Sequence, residues 1–363
     1  MKNVLLVAPI EGNGGIQSWT RKYVKTFKDK DFRLIHVGVS KNRSLSKKQS
    51  KLSRTIDGLK DLFDVRKAVI NAISKSEFSF MHTTTSGSLG TLRDFVLNRI
   101  CHKHGIKTIM HCRYGCIPED FNSKGFWGWL LRKTMREFDN VWVLDTRSEK
   151  ALNEDTKMRG KVFLTPNSIE VPEKCDFTPK EYKRIAFVGN LIPTKGLYEL
   201  VNAVVKYEGS IELLIVGPGK DDIVKNVEHI AGDKLNKEIK ILGKLPNDEA
   251  VDLIKTVDII ALPTYYPSEA FPISILEAMS RGKLVISCPR AAISDMLTAL
   301  DGSRCGVLVR EKSSDDIVDA IRWCQENRTE ADLLCKKAYE KVYTSYRMEV
   351  IYDLYRSLYR NLL

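Results

Sequence analysis

Short apolar runs rich in β-branched residues alternate along this chain with longer segments whose apolar positions recur at helical spacing. That is the pattern of strands hidden on both faces of a parallel sheet and linked by crossover helices. In the first half Val4–Ile10, Phe32–Val39, Phe78–His82, Lys107–Cys112, Val141–Leu144 and Val162–Leu164 predict strands. Ile16–Phe27 and Leu59–Ser74 predict helices, and Leu89–His104 follows a Ser/Gly-rich turn suited to cap it. The stretch PNSIEVPEKCDFTPKEYK breaks the rhythm with three prolines and predicts a linker over residues 169–182. A second series then begins, with strands expected at Arg184–Val188, Ile211–Val216, Ile239–Leu242, Ile259–Leu262, Leu284–Ser287 and Gly306–Val309. Its helices are expected at Lys195–Tyr207, Asp248–Lys255, Ser274–Arg281 and Asp315–Asn327. The fold class that follows is α/β, with two facing Rossmann-like domains over residues 1–168 and 183–340 and a ligand cleft at the carboxyl ends of their strands. The segment 341–363, with tyrosines at 352, 355 and 359, predicts a final helix that packs back on the first domain.

Composition sharpens this picture in two places. The net charge of +12 divides unevenly: residues 1–168 hold 31 Lys and Arg against 16 Asp and Glu, whereas the remainder is slightly acidic. Lys41–Arg54 alone has six basic residues and no acid, which points to an anionic partner for the first domain, either phospholipid head groups or nucleic acid. For any single lysine there, a solvated surface is the simpler account. The eight cysteines form no CxxC pair, which suits a reducing compartment, and the run Cys101, His102, His104, His111, Cys112 and Cys116 has no common zinc spacing. The opening apolar run stops at Glu11, too short for a signal peptide, and no window is long and apolar enough to span a bilayer.

Chemistry concentrates in PTYYPSEAFPISILEAMSRGK, residues 263–283. Glu269 falls in a loop after a strand, where a carboxylate accepts hydrogen bonds from sugar hydroxyls. Amides at Phe271, Ile273 and Ser274 enter a helix whose positive end suits a diphosphate, while Pro272 has no amide to offer. Glu277 is expected in the first turn of that helix, where plain dipole stabilisation of about 0.3 to 1 kcal/mol would already explain it. In IAFVGNLIPTKGL, residues 185–197, Lys195 stands at an expected helix start, placed to neutralise a leaving diphosphate. Near the amino terminus GNGGIQSW follows the first strand, and Gly14 and Gly15 let backbone approach a ligand. His82 and His111 are expected at strand ends, with Arg113 beside the latter; a satisfied structural histidine is an equal reading for His82.

These segments resemble the GT-B fold glycosyltransferases of family 4, with its Glu-x7-Glu signature, across Gly14 to Gly306. The resemblance implies a retaining transfer from a nucleotide-diphosphate sugar, with Glu269, Lys195 and His111 at the reaction centre. It implies donor contacts from Gly15, Asn190, Gly217, Phe271, Pro272, Ile273, Ser274 and Glu277, the last on the ribose, and acceptor contacts from Gly14, Gln17, His82 and Arg113. Pro166, Asn167 and Ser168 resemble the family's hinge. The chain departs from the pattern at Asn190, where the family has arginine, and at Ala270, where it has glycine; Arg113 or Arg281 is a candidate to replace the lost cation. No cofactor and no metal are expected beyond a UDP- or GDP-sugar as donor substrate. The acceptor expected is a saccharide, polyprenyl-diphosphate-linked, in surface polysaccharide synthesis at the cytoplasmic face of the plasma membrane, with anionic lipid and not nucleic acid as the partner of the basic domain. A sugar-nucleotide epimerase on the same architecture, a basic nucleic-acid-binding protein and a regulatory binder without turnover are the alternatives.

Overall fold

A computed structural model describes residues 1–12, 14–39 and 51–363, with residues 51–59 described as backbone only. Lys41–Ser50 of the basic segment lie outside the described residues, and Lys51–Arg54 enter as helical backbone alone. The chain divides into two compact units, Met1–Thr165 with Tyr352–Leu363, and Pro166–Ile351.

In the first unit the strands are β1 (Lys2–Ala8), β2 (Phe32–Gly38), β3 (Phe80–Thr85), β4 (Lys107–Cys112), β5 (Asn140–Val143) and β6 (Val162–Leu164). They form one sheet of order β2-β1-β3-β4-β5-β6, parallel throughout. Helices α1 (Gly15–Thr26), α2 (Lys51–Lys75), α3 (Leu89–Lys103), α4 (Ile117–Asn122), α5 (Phe126–Glu137) and α6 (Thr146–Asn153) connect them. The second unit repeats the plan with β7 (Arg184–Val188), β8 (Glu212–Val216), β9 (Ile239–Gly243), β10 (Ile259–Leu262), β11 (Leu284–Ser287) and β12 (Val307–Leu308), in the order β12-β11-β10-β7-β8-β9. Its helices are α7 (Leu197–Lys206), α8 (Asp221–Ala231), α9 (Asn247–Thr256), α10 (Ile273–Met279), α11 (Ile293–Met296), α12 (Ser314–Glu326) and α13 (Arg328–Ser345). The last helix, α14 (Met348–Leu362), carries the chain from the second unit back into the first.

All twelve expected strands are present, most within two residues of their predicted ends, and the central ones, such as β1, β10 and β11, are the continuous apolar runs of strands buried on both faces. Five helices were not foreseen, α4, α5, α6, α8 and α11. Ser88 does not cap α3 as its composition suggested: it has φ 49° and its side chain makes no capping hydrogen bond.

The period of two in the first sheet sorts its two faces chemically. Leu5, Val7, Met81, Met110, Val141 and Val143 point to the side where Val65 and Val69 of α2, Leu97 of α3 and Leu131 and Met135 of α5, with Phe78, Phe121 and Phe138, complete an apolar core. Phe80, His82, His111 and Trp142 point to the other, where they meet Tyr23 of α1 and Tyr355 and Tyr359 of α14. Arginines of α14 fix it there: Arg356 Nε donates to Asp29 at 2.8 Å and Arg360 Nη2 to Asp31 at 2.8 Å. The chain's Asp-Lys-Asp sequence at residues 29–31 is thereby engaged in holding a helix.

In the second unit the strand-to-helix turns after β7 and β8 touch through two glycines. Gly217 has φ 145°, and a Cβ there would fall 1.8 Å from the carbonyl oxygen of Gly189. The turns are further tied by Gly189 N donating to Val216 O at 2.9 Å and Leu191 N to Pro218 O at 2.8 Å. Gly217→Ala is expected to cost roughly 2 to 4 kcal/mol of unfolding free energy, as urea denaturation of the pure protein would register, since neither backbone can retreat without breaking these bonds.

Candidate functional site

The functional residues fall into two groups, one in each unit. In the second unit β7 ends in Gly189 and exposed Asn190, and the chain then makes a 3-10 turn, Pro193–Lys195, before α7. Lys195 therefore precedes the helix that was expected to start with it. Gly196 separates them with φ 77°, and a side chain there would strike the Pro263 carbonyl, 2.1 Å from its Cβ, so glycine is required. The loop after β10 is bound to this turn: Tyr265 N donates to Thr194 O at 2.9 Å, and Tyr265 Oη donates to Glu199 of α7 at 3.0 Å.

That arrangement delivers two charged side chains to each other. Lys195 Nζ lies 3.0 Å from Glu269 Oε2, both largely buried, and Thr264 Oγ1 donates to the same carboxylate oxygen at 3.5 Å. A buried pair of this kind holds its geometry because either charge alone would be costly to leave without a partner. Next in sequence Phe271 is buried, and its carbonyl accepts from Asn167 Nδ2 at 2.9 Å, so the residue expected in a hinge instead anchors the loop that precedes α10.

Helix α10 begins at Ile273 behind Pro272, with no side chain capping it, which leaves the amides around Ile273 and Ser274 directed out of its amino end. Glu277 is the fifth residue of this helix rather than in its first turn, so simple dipole stabilisation does not account for it. Arg281, a candidate to replace the missing cation, sits at the opposite end of the helix, donating to Glu277 O at 3.1 Å and to Ser280 Oγ at 2.8 Å.

In the first unit Gly14 precedes α1 and Gly15 opens it, again with no side-chain cap. Arg21, which the sequence did not single out, secures the turn by donating to Ile10 O at 2.7 Å and Gly12 O at 2.8 Å, while Gln17 folds back against Gly14. His82 is the third of six residues in β3, not at a strand end, and is fully buried; His111, fifth of six in β4, is buried as well.

A single line of hydrogen bonds runs through both histidines. Arg113 Nη1 meets His111 Nε2 at 3.1 Å, His111 Nδ1 meets His82 Nε2 at 3.1 Å, His82 Nδ1 meets Tyr359 Oη at 2.6 Å, and Tyr359 Oη meets Tyr23 Oη at 2.9 Å. A guanidinium only donates, so its end of the line sets the protons of both rings. His111 accepts at Nε2 and donates from Nδ1, and His82 does the same, donating to the Tyr359 hydroxyl, which shares a further hydrogen bond with Tyr23. Both rings are neutral: burial, reinforced by the Arg113 charge, pushes His82 down to about 3, and burial, Arg113 and His82 together push His111 well below the usual histidine range. Burial also lowers Arg113, to about 10, against an opposing effect of Tyr355. The guanidinium stacks on Trp19, 4.2 Å from the ring centre. His111 thus presents itself as an acceptor and not as an acid near neutral pH.

The expected Cys/His run is dispersed: Cys101 packs on Met81, His102 pairs with Asp139 at 3.0 Å, and His111 belongs to the line just described. All eight cysteines are free thiols. The residues that sequence alone left unassigned, Thr264, Tyr265, Trp19 and Tyr359, are ordinary polar and aromatic positions whose roles depend on what the fold brings beside them.

Residues 174–341 match the family described as glycosyl transferases group 1. The chain is 24% identical to an uncharacterized glycosyltransferase of Methanocaldococcus jannaschii, over 70% of this chain and 67% of that protein. Several other curated relatives are matched over only about a third of their own length. The Anabaena protein HepE, solved with UDP, superposes with a TM-score of 0.71 at 15% identity, covering 99% of this chain and 100% of that one. The lipopolysaccharide outer core galactosyltransferase WaaB, in its apo form, gives 0.71 at 14% identity with complete coverage of both chains.

The buried histidines make a pH prediction. The unfolded chain binds a proton near pH 6.5 that the folded His82 refuses until about pH 3, so stability is fully present above about pH 6.5 and falls as the pH drops between these values. Urea unfolding from pH 7 to 4.5 should show His82→Asn losing about 1.4 kcal/mol per pH unit less than the unsubstituted protein; parallel slopes would show that His82 is charged in the fold.

Proposed function

We propose that this chain, whose residues 174–341 match the family of group 1 glycosyl transferases and whose two six-stranded sheets have the GT-B fold, transfers a hexose from a nucleotide-diphosphate sugar with retention of configuration. The observation that carries this reading is the Lys195–Glu269 pair at 3.0 Å beside the uncapped start of α10. A diphosphate seated on those amides would draw Lys195 to itself and release the Glu269 carboxylate to the sugar hydroxyls. One buried contact is exchanged for two, and each is made to the part of the donor where it is of use. Charge on the departing phosphate grows as the sugar leaves, so a lysine held by the Gly196 turn stabilises the transition state more than the ground state. Glu277 one turn further along α10 takes the ribose hydroxyls, and Gly217 leaves room for the base.

The leaving phosphate is itself a competent base for the acceptor hydroxyl, so the reading requires no protein carboxylate in that role and no metal ion for charge compensation. Asn190, in place of the family's arginine, leaves Lys195 as the main cation of this unit's site. The HepE complex with UDP supports a uridine donor, and WaaB supports an acceptor in surface polysaccharide synthesis. A lipid-linked saccharide at the cytoplasmic membrane face suits the charge excess of residues 1–168, and no helix among the described residues is long and apolar enough to cross a membrane.

Two measurements test this. Thermal unfolding in EDTA with UDP-, GDP-, ADP- and CMP-sugars should show stabilisation by one nucleotide series, abolished in Glu277→Ala; stabilisation by none, with NAD or a duplex oligonucleotide acting instead, would sink the assignment. With that donor in hand, Lys195→Ala should reduce donor turnover at least about 100-fold while the fold persists, and near-normal turnover would remove Lys195 from the mechanism.

A further inference from the structure

Helix α5 exposes aromatic side chains that a folded domain would ordinarily bury. Phe126 is 61% exposed, Trp127 44% and Trp129 50%, and with Phe63 of α2 they are the exposed Phe and Trp side chains among the described residues. The three rings cluster, with the Phe126 centroid 5.3 Å from Trp127 and 5.9 Å from Trp129. Their exposure is built in. The other face of the helix is spent on the core through Leu130, Leu131 and Met135. Its first turn is clamped: Arg132 Nη1 donates to the carbonyls of Phe121 and Ser123, and Gly128 lies so close to the preceding loop that a Cβ would meet the Ser123 carbonyl oxygen at 2.4 Å. The helix therefore cannot roll to hide the rings.

The surroundings are cationic. No acidic residue occurs between Asp120 and Glu137, whereas Lys124, Arg132, Lys133 and Arg136 do. Lys133 Nζ stands 5.2 Å from the Trp129 ring centre and 5.5 Å from that of Phe95, and Arg99 lies 4.5 Å above Phe95. Of the charged groups here, Arg136 is paired with Asp155, and Arg99 reaches Glu137 only at 3.5 Å.

We infer that the aromatic start of α5, with Lys124 and Lys133, is the surface by which this protein docks on a bilayer containing anionic lipid. Trp and Phe rings are at home at the depth of the head groups, and lysines beside them meet phosphates there. A second copy of the chain suits this surface poorly, because a two-fold contact would bring the same lysines face to face around the rings. The inference gives the membrane partner of the preceding reading a definite contact surface, and it stands apart from donor chemistry.

The test uses the full chain and sedimented vesicles of phosphatidylcholine, with and without about one third phosphatidylglycerol. The protein should bind the mixed vesicles, with its fluorescence quenched by bromine on the acyl chains. Replacing Phe126, Trp127 and Trp129 together by Ser should weaken binding at least about tenfold without changing the donor-dependent thermal shift. Trp127→Phe with Trp129→Phe should keep binding and lose most of the quenching, since of the five tryptophans only these two would enter the interface. Lys124→Glu with Lys133→Glu should erase the preference for the anionic vesicles. Undiminished binding by the triple Ser variant overturns the inference; if neutralising Lys41–Arg54 abolishes binding instead, the membrane reading survives through that segment. Failure of the unsubstituted protein to bind any vesicle, with its donor shift intact, overturns the docking and leaves the transfer reading standing. Loss of a dimer in the triple Ser variant by sedimentation velocity, with vesicle binding unchanged, would assign the rings to self-association.

Discussion

A parallel strand buried on both faces leaves a chain only one place for chemistry, the turn after its carboxyl end. Everything of functional interest in the second unit hangs on that constraint. The turns after β7 and β8 are pressed together through Gly189 and Gly217, and the loop after β10 is hydrogen-bonded to the turn that holds Lys195. The backbone is fixed first, by the sheet, and the side chains of Lys195 and Glu269 are then carried into contact by loops that have little freedom left.

On the proposed reading, that pair is stable in the free protein and exchanges its partners when a donor arrives. Two opposite charges out of water hold each other firmly, yet each is more valuable to a ligand that brings its own opposite chemistry. The uncapped first turn of α10 is the third participant, since amides without an internal partner favour an arriving anion. Glycine at 196 and proline at 272 shape this region without touching a ligand through a functional group.

In the first unit polarity is handled in the opposite way. His82, His111, Tyr359 and Tyr23 are sealed in an aromatic layer between sheet, α1 and α14, and the protons of both histidines are directed by one guanidinium, that of Arg113. The histidine part of the line, once buried, leaves little room for rearrangement, because reversing the bond between the rings would place two donors together at His111 Nε2. It also makes the last helix part of the environment of His111, although the two are far apart in sequence. The other side of the same sheet packs a largely apolar core that includes Phe78, Phe121 and Phe138, and there α5 turns its own aromatics outward.

The sequence by itself determined the two α/β units, because short apolar, β-branched runs alternate with longer segments at helical spacing in two successive series. It also marked Glu269, Glu277 and Lys195, whose spacing follows strand and turn closely enough to be read directly. It placed His82 at a strand end, since a polar residue after an apolar run looks like a boundary; the strand runs on to Thr85, with Thr83 Oγ1 donating to Asp94 and Thr85 Oγ1 accepting from Gly87 N. It expected Lys195 and Glu277 in first turns, where only the backbone angles of Gly196 and the start of α10 at Ile273, one residue earlier than expected, could say otherwise. What the tertiary structure alone decided is partnership. Lys195 with Glu269, Arg113 with both histidines, Asp29 with Arg356 and the outward turn of Trp129 are set by distances between segments remote in the chain, which no local pattern of residues encodes.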